Sequence, residues 1–478
     1  MLVRNDGIYG NKALRTFIQE KTHQGIIMKS NYLHIIFQTL NDSGLDYCIQ
    51  NGYEDMPYSF PTDIDIFYRN SSERQLDEIV LRAAENAGLH VVQKVAMGYY
   101  HFVYWLTPPL PEPSFQLELD FQSELSLKSM PHYYIPDDLL NHKRPFRNFF
   151  IPSPFDEIVY TILRRTVKKN FGEKHLATIK RAFASDPQGI EERTRQEFDE
   201  EMASHVIRLI QSDSADCFDE HYPTFNRYVH HQSKLNNTLR KRTTQYWYNL
   251  SRMLPLRFLS PTGMDIALLS PDGGGKTTIL NALREYEVSS FSGIERKYVR
   301  PGLFQNIGQY KPNAKPEMTD NPDPHGRKPD GTIKSWIRFL IYLVDFTIGY
   351  YLKVTPLKWK RKLVVFDRYY YDYFVDMYRY HYSLPQWVPH FFSAIIPKPE
   401  ITFVLYASPE ILYQRKRELT LEETERQCAA FKDVAKKVRG AVIIDVNRPI
   451  DDIVKDIVSH IINRRVELTK RKLRKVLP

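Results

Sequence analysis

The apolar positions change period along the chain, and those changes mark its organisation. Residues 28 to about 135 alternate strand-like and helix-like patterns. Within them, Thr62-Asp63-Ile64-Asp65-Ile66-Phe67 and Phe115-Gln116-Leu117-Glu118-Leu119-Asp120-Phe121 alternate at strand period. That spacing puts Asp63 and Asp65 on one face of a first strand, and Glu118 and Asp120 on one face of a second. From about 136 to 225 the period turns helical, as in Phe155-Asp156-Glu157-Ile158-Val159-Tyr160-Thr161-Ile162-Leu163. A basic connecting helix follows, with Arg240-Lys241-Arg242 and Tyr246-Trp247-Tyr248, and a turn signal closes it at Pro261-Thr262-Gly263. Beyond lie compact apolar runs that read as buried strands: Met264-Asp265-Ile266-Ala267-Leu268-Leu269, Lys362-Leu363-Val364-Val365-Phe366 and Ile401-Thr402-Phe403-Val404-Leu405-Tyr406. Ser408-Pro409-Glu410 opens a helix with a capping serine, a proline at the first position and an early acid. Thr420-Leu421-Glu422-Glu423 offers a second capping box. The expected class is α/β. An α+β domain covers 1–135, a helical extension with its connecting helix covers 136–260, a parallel-sheet domain covers 261–465, and a basic tail covers 466–478.

Composition narrows the setting. A chain of 478 residues has room for two or three domains, each with its own core. Cys48, Cys217 and Cys428 lie far apart, against a disulfide framework or a cysteine zinc site. The N-terminus carries no apolar core of a signal peptide, so a cytoplasmic protein is expected. The most membrane-like run, 339–352, is interrupted by Asp345 and bounded by Arg338 and Lys353. It is too short to span a bilayer comfortably and is expected to form a buried aromatic-rich helix. A net charge of +9 points to acidic partners: nucleotides, phosphorylated substrates or an anionic membrane surface. Seven basic residues fall between Arg464 and Lys475, with Val466, Leu468, Leu473 and Val476 interleaved. A solvated terminal helix is the commoner reading of such a tail, with contact at the inner face of an anionic membrane as the alternative. Nucleic acid is disfavoured, because the basic residues form no extended groove with regular aromatics.

The chemistry concentrates in Ser270-Pro271-Asp272-Gly273-Gly274-Gly275-Lys276-Thr277-Thr278, between an apolar strand and the helical pattern that starts at Ile279. Strand, glycine-rich turn, Lys-Thr and helix is the context of a loop that cradles phosphates. Backbone N–H groups converge on phosphate oxygens, and the helix N-terminus adds its dipole. Lys276 reaches the transferred phosphate and the Thr277 hydroxyl sits on Mg²⁺. Ser270 departs from the pattern, which has glycine there. Asp367-Arg368-Tyr369 ends the second apolar strand, so Asp367 is placed to organise Mg²⁺ or an attacking oxygen, and Arg368 to hold an acceptor phosphate. Arg415, Lys416, Arg417 and Arg426 cluster at the break between two helices, as in a lid closing over phosphates.

On these motifs, residues 261–465 resemble a thymidylate-kinase-like P-loop kinase. The resemblance covers Asp272 to Thr278, Asp367-Arg368-Tyr369 and the lid arginine Arg415. It implies ATP and Mg²⁺ as cofactors, with Lys276 on the transferred phosphoryl group and Thr277 on the metal. It also implies Arg368 on the acceptor, Asp272 on the acceptor side and Arg415 facing the phosphates. Gly273, Gly274, Gly275 and Thr278 complete the nucleotide site. The acceptor half departs from true thymidylate kinases: only Arg300-Pro301-Gly302 remains of their acceptor segment. Asp323-Pro324-His325-Gly326-Arg327-Lys328 and the run around Asp376, Arg379, Tyr380 and Tyr382 are similar to a branch found among bacterial surface-glycan genes. That resemblance implies a sugar or glycan hydroxyl or phosphate as acceptor, with dTMP or another nucleoside monophosphate as the alternative.

The N-terminal part resembles the nucleotidyltransferase superfamily, with Asp63, Asp65 and Asp120 as the carboxylate triad of a metal site. Asn51-Gly52 stands where that family has Gly-Ser. Clustered carboxylates call for a cation, and the other reading is the solvent face of a half-buried sheet. Three functions follow as expectations: a phosphotransferase with an accessory domain, a nucleotidyltransferase regulated by the P-loop domain, and a recognition protein that binds ATP without chemistry.

Overall fold

A computed structural model describes residues 30–58, 63–109, 116–285, 290–304, 325–326 and 328–474. The chain divides into two compact units, the first reaching Met253 and the second running from Leu254 to Lys472. The division falls at 253/254 rather than near 260. The short helix after it belongs to the second unit because Phe258 packs on Trp359, whose indole N–H donates to the Arg257 carbonyl at 2.7 Å.

The first unit opens with helix α1 (30–42), then β1 (Asp46–Ile49), β2 (Asp63–Arg69), α2 (Glu73–Asn86), β3 (His90–Gly98), β4 (His101–Thr107) and β5 (Leu117–Gln122). The sheet order is β1-β2-β5-β4-β3; β2 and β5 run parallel and the other pairs antiparallel. Alternation does what the sequence pattern requires. Ile64, Ile66, Leu119 and Phe121 enter the core with Leu33 and Phe37 of α1, while Asp63 stands beside Glu118 and Asp65 beside Asp120 across the parallel pair. After α3 (Asp137–Asn141) and the hairpin β6 (Arg144–Phe146) and β7 (Phe149–Ile151) come α4 (Pro154–Lys168), α5 (Glu173–Ala184), α6 (Pro187–Glu197), α7 (Glu200–Gln211), α8 (Phe218–Asn236) and α9 (Leu239–Tyr248). Helices α3 to α8 share one core with the sheet, where Phe155 and Ile158 of α4 pack with Cys48 and Phe67. The helical extension is therefore part of the first unit.

The second unit runs through α10 (Leu254–Leu259), β8 (Met264–Leu269), α11 (Lys276–Glu285), β9 (Ile294–Tyr298) and α12 (Thr332–Val344). It continues with π-helical turns at Asp345–Val354, then α13 (Thr355–Trp359), β10 (Leu363–Asp367), α14 (Asp372–Val375) and α15 (Trp387–Phe392). It closes with β11 (Ile401–Tyr406), α16 (Pro409–Arg415), α17 (Leu421–Lys437), β12 (Ala441–Asp445) and α18 (Ile450–Arg474). All strand pairs are parallel, in the order β12-β11-β8-β10-β9. Central β8 and β10 are buried along their whole length, as continuous apolar runs in a sheet covered on both faces require. Asp265, the one charge inside β8, accepts from Lys358 Nζ at 2.6 Å and from the Tyr350 hydroxyl at 2.8 Å. Thr420 caps α17 by accepting from Glu423 N–H, whereas the reciprocal half of the expected capping box is missing, because the Glu423 carboxylate turns to Arg426 and Gln427.

Two expectations are corrected. The run 339–352 is buried on one face only: Phe339, Leu343, Phe346 and Tyr350 turn inward, whereas Ile348 and Leu352 are 54% and 58% exposed. The stretch from 466 is no free tail through residue 474. It continues α18, and Val466, Thr469 and Leu473 are buried. Among the described residues, no helix is long and apolar enough to cross a membrane.

Candidate active site

The site is built at the C-terminal ends of β8 and β10. Between β8 and α11, Gly273 and Gly275 adopt φ of +82° and +77°, left-handed values that favour glycine. A Cβ on Gly273 would lie 2.6 Å from the Leu412 carbonyl oxygen, so α16 rests directly on the loop backbone. A Cβ on Gly274 would lie 2.3 Å from Ser270 Oγ. The fully buried Ser270 side chain thus fills the space that the missing Cβ leaves. Lys276 Nζ donates to Ser270 Oγ at 2.7 Å and to the Ser270 and Pro271 carbonyls at 3.2 and 3.3 Å. Burial, aided by Arg368, pushes this ammonium down to about 8, against the pull of Asp272, Asp367 and Asp372.

The end of β10 supplies the charges. Arg368 has φ +70°, an unusual value for a residue with a Cβ. Its backbone is fixed there: Arg368 N–H donates to the Leu268 carbonyl and Val299 N–H to the Asp367 carbonyl, both at 3.0 Å. One Arg368 nitrogen reaches Asp372 at 2.9 Å and the other reaches Asp272. Arg379 takes the second Asp272 oxygen. Burial alone would raise the Asp272 carboxyl, but Arg368, Lys276 and Arg379 hold it well below the usual carboxylate range. Burial instead prevails at Asp372, whose pKa is raised despite Arg368. Asp367 pairs through one oxygen with Arg296, while its buried Oδ1 has no hydrogen-bond partner among the described residues. Asp367 and Thr277 line the same cavity. An anionic and a neutral hard oxygen donor are what Mg²⁺ accepts, so the residues fit that ion.

The cavity measures about 450 Å³. Six cationic side chains line it, Lys276, Arg368, Arg379, Arg415, Lys416 and Arg448, against the carboxylates of Asp272 and Asp367. Both terminal nitrogens of Arg415 donate to the Val446 carbonyl at 3.2 Å. Val446, Ile450 and Ile453 give the cavity an apolar end. Asp272, Gly273, Gly274, Gly275, Lys276, Thr277, Thr278, Asp367, Arg368 and Arg415 therefore meet around one space. Sequence reasoning missed Arg296, Asp372 and Arg448, and noted Arg379 without its partner. Asp372 had a signal, since it follows Arg368 by four residues. Arg296 had none, because its partner lies on another strand.

Arg300 and Asp376 have other partners. Arg300 is buried against Asp345 and over the Tyr342 ring, 3.8 Å from its centroid, and Asp345 also accepts from Gly302 and Leu303 N–H. His325 Nε2 lies 2.9 Å from Asp376, while Asp323, Pro324 and Arg327 lie outside the described residues. His325, Asp376 and Glu423 form the one group of three among the described residues whose ligand atoms approach within 4.8 Å. Arg426 already occupies both Glu423 oxygens, and Gln427 shares Asp376 with His325.

In the first unit Asp63, Asp65 and Asp120 stand on adjacent strands, but Asp65 turns to Arg164 and Asp120 to His101. Asp65 accepts from Arg164 at 3.1 Å and Asn51 at 3.3 Å. Asp120 lies 2.7 Å from His101 Nε2, an ion pair once the imidazole is protonated. Burial raises the Asp65 pKa, with Asp120 and Asp63 adding to it, against the opposing pull of Arg164. As placed, the three carboxylates do not gather within 4.8 Å of one another, and Arg164 shares Asp65.

No protein-family model and no curated protein matches the chain. Among solved structures it is similar to the thymidylate kinase from Ehrlichia chaffeensis, at 18% identity and a TM-score of 0.28, covering 41% of this chain and 98% of that one.

Proposed function

We propose that this protein is an ATP-dependent phosphotransferase whose donor site is the cavity around Lys276. The observation that carries this reading is the cationic lining at the N-terminus of α11, with Lys276 held by neutral oxygens only. A polyphosphate offers that ammonium charged acceptors in place of neutral ones, and α11 adds its dipole. Arg415 and Arg448 would hold the outer phosphates, and Val446, Ile450 and Ile453 would receive the apolar face of the base. When bound, Mg²⁺ held by Thr277 and Asp367 would neutralise charge on the phosphate oxygens. The terminal phosphoryl group would pass from ATP to an acceptor oxygen, leaving ADP and releasing the acceptor's proton to solvent, with Arg368 and Asp272 orienting that oxygen.

For the acceptor we favour a sugar or glycan hydroxyl over dTMP. Arg368 and Arg379 are matched by Asp272 and Asp372, which leaves little uncompensated charge on that side for a phosphate dianion. The test is incubation with Mg-ATP carrying a heavy-oxygen terminal phosphate, followed by mass spectrometry of dTMP, sugar and glycan acceptors supplied together. Label on a hydroxyl supports the reading; label on dTMP alone replaces the acceptor while keeping the donor site. No label on any acceptor, with ATP bound, would favour a recognition protein.

A further inference from the structure

We propose that the outer face of the helical run 332–359 lies in the plane of an anionic lipid surface. α12, the π-helical turns and α13 follow one another without a break. The inner face carries Phe339, Leu343, Phe346 and Tyr350 into the core. The outer face is apolar as well. Ile333, Ile337, Leu340, Val344, Ile348 and Leu352 recur every three or four residues and stay exposed, Ile333 at 78%. The row runs for roughly 25–30 Å at the rise of a helix. A helix apolar on both faces is ordinarily buried all round, and an exposed apolar patch of this length marks a contact surface. α15 and the turn after it add a second exposed row, Trp387, Phe391 and Ile395. α15 stands against α12 through Phe392, whose ring centroid lies 5.5 Å from that of Phe339.

Charge selects what covers these rows. Between Gly331 and Arg361 the one carboxylate is Asp345, and it is buried against Arg300. Between Met377 and Pro399 there is none. Lys334 and Lys353 bracket the apolar row, Lys360 and Lys398 extend the positive rim, and all four are exposed. A layer of anionic headgroups over hydrocarbon matches both features: acyl chains receive the row, and phosphates receive the ammonium groups at the ends of their flexible stems. Tyr351 and Trp387, both exposed, are rings of the kind that favour that boundary. A second copy fits less well, since antiparallel packing of two such rows sets Lys334 against Lys353 with no exposed acid to offset them. Among the described residues no helix is long and apolar enough to cross a membrane, so the contact is in-plane. The end of α18 is a poorer face for lipid, because Val466 and Thr469 are already buried. This contact does not depend on the chemistry at the glycine loop.

The test is flotation of the full-length protein with vesicles of phosphatidylcholine containing phosphatidylglycerol, against phosphatidylcholine alone. The wild type should float with the anionic vesicles at least about tenfold more than with the neutral ones. Ile337→Glu/Ile348→Glu, at exposed positions, should keep the wild-type Tm and lower flotation by at least about tenfold. Lys470→Glu/Arg471→Glu, on the exposed side of α18, should float as the wild type does. An environment-sensitive dye on Ile348→Cys should shift to the blue on anionic vesicles, measured against wild type labelled at the half-buried Cys217, and this reads the contact without adding charge. Absence of wild-type flotation, equal flotation with neutral vesicles, or flotation kept by the folded glutamate variant overturns the proposal. So does an unshifted dye, or flotation lost in the Lys470→Glu/Arg471→Glu variant alone. A wild type that is a dimer in solution, is split by the same glutamates and does not float gives the face to a second copy instead.

Discussion

Asp272→Asn tests whether the acceptor side is held together by charge. The carboxylate gives one oxygen to Arg368 and the other to Arg379, and all three side chains are at least nine-tenths buried. An asparagine keeps the shape but offers one neutral oxygen and an amide that cannot accept. One charge-assisted bond is lost, the other is weakened, and two buried guanidinium groups then share only Asp372. Breaking a buried pair from one side costs about 3–5 kcal/mol. For a unit of this size each kcal/mol lowers Tm by roughly 2–4 °C, so the transition should fall by about 6–20 °C in calorimetry. The sign with ligand separates this from loss of packing. Freed arginines bind anions more strongly, so saturating tripolyphosphate should raise Tm more in the variant than in the wild type. A variant within about 1 kcal/mol of the wild type, or one stabilised less by tripolyphosphate, would refute the charge argument.

Further predictions follow from the same contacts. Gly274→Ala should abolish nucleotide binding by driving a Cβ into Ser270 Oγ, and Ser270→Gly/Gly274→Ala should restore part of it by vacating that space; fluorescent ATP-analogue titration reads both. Lys276 has its pKa lowered to about 8 in the free loop, and bound phosphate raises it. ATP binding therefore takes up a proton above that pH, and Kd should rise up to about tenfold per pH unit above 8, while lying flat below it. Asp63→Ala/Asp65→Ala should leave phosphoryl transfer unchanged. Arg164→Ala should strengthen Mn²⁺ binding by the first unit by at least about tenfold, read by paramagnetic relaxation, because it frees Asp65.

What could be read from the residues was whatever lies close in sequence. The strand before Ser270, the glycine loop, the Asp367-Arg368 strand end and the Thr420 cap are local patterns, and each stands where its spacing placed it; α16 also starts after Ser408, though that serine makes no side-chain cap bond. The β12 strand is a short apolar run that went unnoticed, and β9 is half-buried along its length with no apolar run to reveal it. The ion pairs of Asp272 with Arg379 and of Asp367 with Arg296 join residues 107 and 71 positions apart, and no periodicity encodes such pairs. The acid faces of β2 and β5 were legible, yet their cationic partners were not, since Arg164 arrives from α4 and His101 from β4. The apolar spacing of the tail is helical, and α18 does run to Arg474, with Val466 and Thr469 buried along it.

The most direct test of phosphoryl transfer at the loop is the product made from Mg-ATP by the wild type, Lys276→Ala and Asp63→Ala, each supplied with the labelled acceptor. ADP and a phosphorylated acceptor should form with the wild type and Asp63→Ala, and fall by about 10²–10³-fold with Lys276→Ala. Undiminished turnover by Lys276→Ala, or pyrophosphate release that disappears with Asp63→Ala, would contradict it and move the chemistry to the first unit.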